Sequence, residues 1–223
     1  MHQKKNKKIL IYIFLFLIIG TLNNKNLGKL ELVKINKINI TGLSEKKNNE
    51  LVNDLDYLKV NNLYLISKSK IEQIFNTNTL IERYSIFKRY PSTLNIKIEK
   101  TKFLAQVKKK NDIFFLGSNG KLIKTNKIRN DMPFIFGNFE NKDFFNLRDA
   151  INETNFNYSQ IKNLFFFKSG RWDIETNDGL LIKLPTNEIK LSLKILILIL
   201  KNNNTKKIKK IDLRQNNQII LNG

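Results

Sequence analysis

The sequence predicts an α+β protein: an N-terminal transmembrane helix, a βααββ module, and a mainly antiparallel β-domain with flanking helices. Three observations carry that reading. An uncharged apolar run follows a cluster of lysines at the N-terminus. Short strand-like and helix-like patterns then alternate over some seventy residues. Beyond residue 102, period-2 apolar patterns broken by Asn-Gly and Asp-Gly turns dominate, the signature of strands and hairpins.

Lys4, Lys5, Lys7 and Lys8 stand directly before the run 9–22. Positive residues ahead of an apolar span predict a cytoplasmic N-terminus. As a helix the run is about 21 Å long at 1.5 Å per residue, short of the roughly 30 Å of bilayer hydrocarbon. Asn23 and Asn24, with Lys8 and Lys25 snorkelling, extend it to a span of 9–24 behind a cytoplasmic tail of 1–8. The competing reading is a cleaved signal peptide, but "GTLNNKNLGKL" offers no good small-x-small site. Residues 25–31 form a linker.

In the module 32–101, "LVKINKINITG" predicts a strand with Val33, Ile35, Ile38 and Ile40 as its apolar members. Leu51, Leu55 and Leu58 at i, i+4, i+7 predict an amphipathic helix. Ser67 or Ser69 caps a second helix, Ser69 and Glu72 fitting a capping box, with Ile71, Ile74 and Phe75 facing inward. Two strands follow around Pro91-Ser92, the second alternating Leu94, Ile96 and Ile98 with polar residues.

In the β-domain 102–223, "AQVKKKNDIFFLGSNGKLIKT" reads as two strand-turn units, the second turning at Asn119-Gly120. Phe144, Leu147 and Ile151 share a helical face within 143–155. "FFF" at 165–167 reads as strand core with its middle ring turned away from its neighbours. In "RWDIETNDGLLIKL", Trp172, Ile174 and Thr176 face Leu180, Ile182 and Leu184 across Asp178-Gly179, with Trp172 in the core. "LSLKILILIL" suits a helix or a strand and is taken as a helix against the sheet. The last pattern, "KKIDLRQNNQIILNG", reads as a strand with Ile211 and Leu213 on one face and Asp212 and Arg214 on the other. A turn at Asn216-Asn217 leads to a second strand, 218–221, with an outer edge left unpaired. Exposed edges are aggregation hazards that proteins usually cover.

The formal net charge is +21, with no cysteine and a single histidine, His2. Thiol nucleophiles, disulfides and His- or Cys-based metal sites are thereby excluded. The lysines are spread along the chain rather than clustered, so no specific nucleic-acid partner is expected; a basic chain does associate with anionic membranes or wall polymers. Glu99 lacks a partner carboxylate in any catalytic motif. No catalytic residue, metal site or cofactor is expected.

Five segments, taken in order behind the N-terminal span, resemble the FtsQ/DivIB family of bacterial division proteins. "INITGL" resembles the family's opening strand and glycine. "NNLYLISKSKIEQIF" resembles its G-x-N-L-F-x-I-D segment, with Asn61 and Ser67 departing from the pattern. "KRYPSTLNIKIEK" resembles R-x-W-P-x-T-L-x-I-x-V-x-E, with Tyr90 in place of tryptophan. "RWDIETNDGLLIKL" and "KKIDLRQNN" resemble the Trp-containing hairpin and the terminal I-D-L-R-Y signature. The resemblance implies a POTRA module over 32–101, a partner-binding β-domain, and a scaffolding role at the septum rather than catalysis. It also implies FtsB- and FtsL-type partners, FtsB adding a strand to the last edge.

The resemblance nominates Arg171, Arg214, Gln215, Asn217, Gln218, Ile219, Ile220 and Leu221 as partner-binding residues. Gln215 replaces the family's tyrosine, the kind of aromatic that commonly anchors an interface. The plain alternatives are that Arg214 pairs with Asp212, and that Trp172 and the phenylalanines only fill the core. Two other function classes compete: a POTRA-bearing component of another envelope assembly or secretion system, and a membrane-anchored wall enzyme.

Overall fold

The computed structural model describes residues 3–22, 33–202, 208–215 and 218–222. The expected linker 25–31, the turn at Asn216-Asn217 and the candidate residue Asn217 lie outside them. The chain divides into two compact units, Met1–Ile71 with Ser85–Lys97, and Glu72–Tyr84 with Ile98–Gly223.

The first helix, α1 (Gln3–Leu22), differs from the expected span 9–24. It begins six residues earlier, so the lysines form its opening turns. Among the described residues no helix is long and apolar enough to cross a membrane. The uncharged run is too short, as its 21 Å estimate anticipates.

Next come β1 (Lys37–Thr41), α2 (Glu45–Asp54), a 3₁₀ turn (Asp56–Val60), α3 (Lys68–Thr77), β2 (Ile81–Arg89) and β3 (Thr93–Lys100). The sheet order is β1-β3-β2, with β1 parallel to β3. Leu94 and Ile96 on β3 are buried beside Ile38 and Ile40 on β1. Val33 is half exposed and outside β1, because Ile35 and Ile38 are three apart and no single alternation spans both pairs. Leu55 and Leu58 are buried, but beyond the end of α2. The capping position of α3 falls to Ser67, leaving Ser69 inside the first turn.

The strands that follow are β4 (Phe103–Lys109), β5 (Asp112–Gly117), β6 (Leu122–Thr125) and β7 (Phe134–Phe136), then α4 (Asn141–Asn152) and β8 (Ile161–Phe166). After these come β9 (Trp172–Thr176), β10 (Leu181–Lys183), α5 (Ile189–Asn202), β11 (Lys210–Asp212) and β12 (Ile220–Asn222). They form one nine-stranded sheet ordered β12-β11-β10-β9-β8-β7-β4-β5-β6. The Trp172 hairpin has the expected register, Ile182 opposite Ile174. The sheet is mainly antiparallel, with three parallel pairs: β4–β7, β7–β8 and β10–β11. Parallel neighbours need a crossover, and α4 and α5 supply it for the last two.

Register partners share a sheet face. One row runs Leu221–Ile211–Ile182–Ile174–Leu164–Ile135–Val107 across seven strands. All but Leu221 are buried, in one core with Phe144, Leu147 and Ile151 of α4 and Leu193 and Leu196 of α5. Leu164 faces that core, so Phe166, two residues on, does too, and packs on Trp172 at 4.7 Å between ring centroids. This reverses the expectation for 165–167: the middle ring points in, while Phe165 stacks on Phe136 at 5.3 Å and Phe167 is exposed.

Candidate functional site

The site grows from two short patterns, Arg171-x-Asp173 on β9 and Asp212-x-Arg214 on β11. Residues i and i+2 of a strand share a face. β9 is antiparallel to β10, and β10 is parallel to β11, so both arginines lie toward the same end of the sheet. The register then sets Lys183 beside Asp173 on one side and Asp212 on the other. The result is a charged row, Asp173–Lys183–Asp212, on the face opposite the helices.

Both carboxylates are 4% exposed and hydrogen-bonded. The Arg214 guanidinium grips Asp212 in a fork, Nε donating to Oδ1 at 2.8 Å and Nη2 to Oδ2 at 2.6 Å. Such bidentate pairs are among the stronger charge-assisted bonds. Arg171 Nε donates to Asp173 Oδ1 at 3.1 Å, and its guanidinium lies 4.1 Å from the centre of the Phe167 ring. The hydrogen bonds from Arg214 hold the Asp212 carboxyl below its usual range. Burial pushes Asp173 the other way, with Arg171 and Lys183 opposing it.

A carboxyl with a depressed folded pKa contributes stability above its unfolded pKa, near 3.9, and loses it as pH falls through the folded value. Arg214→Ala removes both donors and leaves a buried carboxylate with Lys183 beside it. It should lower stability at neutral pH by about 1–3 kcal/mol, and Asp212→Asn should flatten the acid limb of the pH–stability curve. Denaturant melts at several pH values check both.

β12 lies at one end of the sheet order and pairs with β11, with Lys210, Ile211 and Asp212 opposite Asn222, Leu221 and Ile220. On the other side of β11, Leu181 N–H donates to Lys209 O and Leu213 N–H to Lys183 O, both at 2.9 Å. Within β11, Ile211 therefore faces β10 while Lys210 and Asp212 face β12; just before the strand, Lys209 N–H also donates to Asn222 O at 2.9 Å. By that alternation, the backbone groups of Leu221 point away from β11, into an edge with no partner among the described residues. The side chains of Ile219, Ile220 and Leu221 are 45–49% exposed. Gln218 N–H donates to Gln215 O at 3.4 Å, and Gln215 is exposed. The register is offset by one residue from that of a two-residue turn at Asn216-Asn217, and the strand begins at Ile220 rather than Gln218.

A cavity of about 390 Å³ opens beside this edge, lined by Pro185, Leu191, Ile195, Leu213, Gln215 and Ile219 among others. The structure thus brings Gln215, Gln218 and Ile219 together and places Ile220 and Leu221 on the open strand. Arg214 engages Asp212, and Arg171 stands two strands away. The sequence reading missed Asp173, Lys183 and Asp212 as one row; the mirrored R-x-D and D-x-R patterns were the available signal. Glu99 pairs with exposed Arg83 at 3.0 Å. Among the described residues, no cluster of three or more acidic or histidine side chains is placed to hold a metal ion.

The three-stranded βααββ sheet and the mixed sheet that ends on an open edge each fall largely within a matched family. Residues 33–100 match the family described as "POTRA domain, FtsQ-type". Residues 105–214 match "Cell division protein FtsQ/DivIB, C-terminal". The chain belongs to the FtsQ/DivIB family of cell-division proteins. It is similar to the cell division protein DivIB of two Staphylococcus aureus strains, NCTC 8325 / PS 47 and MRSA252, at 29% identity over 160 residues. That alignment covers 67% of this chain and 35% of each relative, so the chain spans about a third of the length of the relatives it matches. A solved structure, the major extracytoplasmic domain of the trans isomer of DivIB from Geobacillus stearothermophilus, aligns with a TM-score of 0.34 at 18% identity. It covers 47% of this chain and 98% of that one.

Proposed function

We propose that this chain is a bitopic inner-membrane scaffold of the division septum, with residues 32–101 as its POTRA module and 102–223 as its partner-binding β-domain. It acts by assembly rather than catalysis and takes no cofactor. The partners are FtsB- and FtsL-type division proteins and, through them, the septal wall-synthesis complex. The observation that carries this reading is the open edge of β12, with outward-facing backbone groups at Leu221 and half-exposed apolar side chains on both faces. Such an edge accepts an added strand, backbone bonds supplying affinity and flanking pockets specificity. The cavity beside Ile219 and the arginines at the adjoining end of the sheet suit apolar and acidic side chains of such a strand. The test is co-purification: the full chain expressed with its cognate FtsB–FtsL pair should elute from mild detergent as a three-protein complex. Its reproducible absence, with all three proteins folded, overturns the reading.

The membrane attachment is proposed through α1, N-terminus in the cytoplasm and the rest of the chain in the periplasm. Between Ile9 and Ile19, α1 exposes most of its large apolar side chains, Leu10, Phe14 and Phe16 each at 65% or more, behind four lysines. Snorkelling and local bilayer thinning offset its shortfall against the hydrocarbon thickness. The protein should resist alkaline extraction from membranes, and intact mass should find residues 1–22 still attached. A mature form starting near Asn23 defeats this.

A further inference from the structure

We propose that an exposed aromatic tip on the first module docks onto the anionic headgroup surface of the membrane that holds α1. The proposal rests on the anchoring of α1 put forward above and assigns a second contact to the same membrane.

The tip is built to be exposed. In the loop between the 3₁₀ turn and α3, Leu63 is fully buried while its neighbours Tyr64 and Leu65 are 59% and 74% exposed. Asn62 fixes the loop. Its Oδ1 accepts from Tyr64 N–H at 2.7 Å, and its backbone carbonyl accepts from Leu65 N–H at 3.1 Å. Tyr64 stacks on Tyr90, from the β2–β3 turn, with ring centroids 4.5 Å apart, and Tyr90 is itself 51% exposed. A ring and a leucine from this braced loop and a second ring from the β2–β3 turn are thus exposed side by side, a patch rather than scattered single side chains.

The same end of the module receives the chain coming from α1. Asn62 Nδ2 donates to Val33 O at 2.9 Å, Ile35 N–H to Asn61 O at 3.1 Å and Asn36 N–H to Ser92 O at 3.0 Å. Val33 and Val60, both exposed, extend the apolar surface. Leu22 and Val33 are eleven peptide steps apart, so Val33 lies no more than about 40 Å from the end of α1. A membrane holding α1 therefore lies within reach of this end of the module.

Charge decides the kind of surface. Lys88 and Arg89, next to Tyr90 in sequence, and Lys34, next to Val33, are exposed and have no acidic partner among the described residues. Tyrosine favours the membrane–water interface, where its ring is buried and its hydroxyl wet. Lysine and arginine nearby are drawn to anionic headgroups. Exposed apolar side chains with cations adjacent in sequence fit a flat interface of this composition.

The absence of cysteine allows single-site probes in the full chain. Leu65→Cys, carrying an environment-sensitive fluorophore, is reconstituted in vesicles of phosphatidylglycerol and phosphatidylcholine, with Phe16→Cys and Asn49→Cys labelled in parallel. Spin-labelled lipids should quench the Phe16 probe deeply and the Leu65 probe at headgroup depth, and leave the exposed α2 probe at Asn49 unaffected. Pure phosphatidylcholine should weaken the Leu65 quenching, and Arg89→Gln should lower the docked-to-free ratio about fivefold in anionic vesicles. Quenching at Phe16 without any at Leu65 overturns the docking and leaves the anchor standing; silence at both overturns both. A Leu65 probe that shifts to the blue without lipid quenching assigns the tip to a protein contact and overturns the proposal equally.

Discussion

Gly137→Ala is expected to cost about 4 kcal/mol or more, the range reserved for a named structural fault. Gly137 follows β7 directly and holds φ at +104°, a conformation closed to residues with a Cβ. The conformation is one part of the cost. A Cβ built there falls 2.1 Å from the backbone carbonyl oxygen of Phe166, and backbone cannot swing aside as a side-chain tip does. Relief requires β7 and β8 to separate, which breaks the Ile135–Leu164 and Phe136–Phe165 pairs and opens the core beneath Trp172. Gly179, in the β9–β10 turn, isolates the conformational part: its φ is +86° and an added Cβ meets nothing within 4 Å. Gly179→Ala should therefore cost only the left-handed strain, about 1–2 kcal/mol. Urea melts of the two variants should differ clearly in midpoint; equal midpoints would put the Gly137 effect down to backbone strain alone.

Much of the fold was legible because local pattern and tertiary environment agree. The Trp172 hairpin has apolar residues at alternate positions on both arms, which set Ile174 opposite Ile182, while its loop is the three residues 177–179 rather than Asp-Gly alone. The helical reading of "LSLKILILIL" also holds, since Leu193 and Leu196 are fully buried while Leu191 and Leu198 remain exposed. The parallel pairs were not legible. Nothing local in β7 or β11 says that its neighbour runs the same way; that is set by where α4 and α5 must lie to cover the core face. The orientation of 165–167 failed for a related reason. A run of three identical rings carries no alternation, and the deciding residue was Leu164, which occupies the core row.

The candidate site was legible in its residues and not in its connections. Arg171 and Arg214 come from segments some forty residues apart, and each has an aspartate two positions away. Sequence reading can pair each arginine with its own aspartate. That Lys183 lies between the two aspartates depends on the crossover through α5, which sets β11 beside β10 rather than at a distant edge. The buried carboxylates therefore bind the last three core-packed strands into one electrostatic unit, on whose flank the open edge of β12 rests.

Leu221→Pro is expected to abolish partner capture, with the binding constant falling by at least about 100-fold, some 3 kcal/mol. The alternation through β11 turns the Leu221 N–H and carbonyl away from the sheet. Proline there deletes no bond to β11, removes the central donor of the open edge and sets a ring in the path of an incoming strand. Edge positions tolerate proline where sheet interiors do not, so stability should fall by about 1 kcal/mol or less. Ile220→Pro is the contrasting variant: Ile220 is the partner of Asp212 in the register, so its N–H serves the β11–β12 ladder and its loss should loosen the hairpin itself. Titrating the full chain with the cognate FtsB–FtsL pair, alongside thermal melts, separates the cases. Leu221→Pro should melt near wild type and fail to bind, whereas Ile220→Pro should lose both. Binding should also weaken as salt rises, if acidic side chains of the partner reach the arginines at an exposed rim. Wild-type affinity in a folded Leu221→Pro protein would mean that the partner reads another surface and that the edge of β12 is not its template.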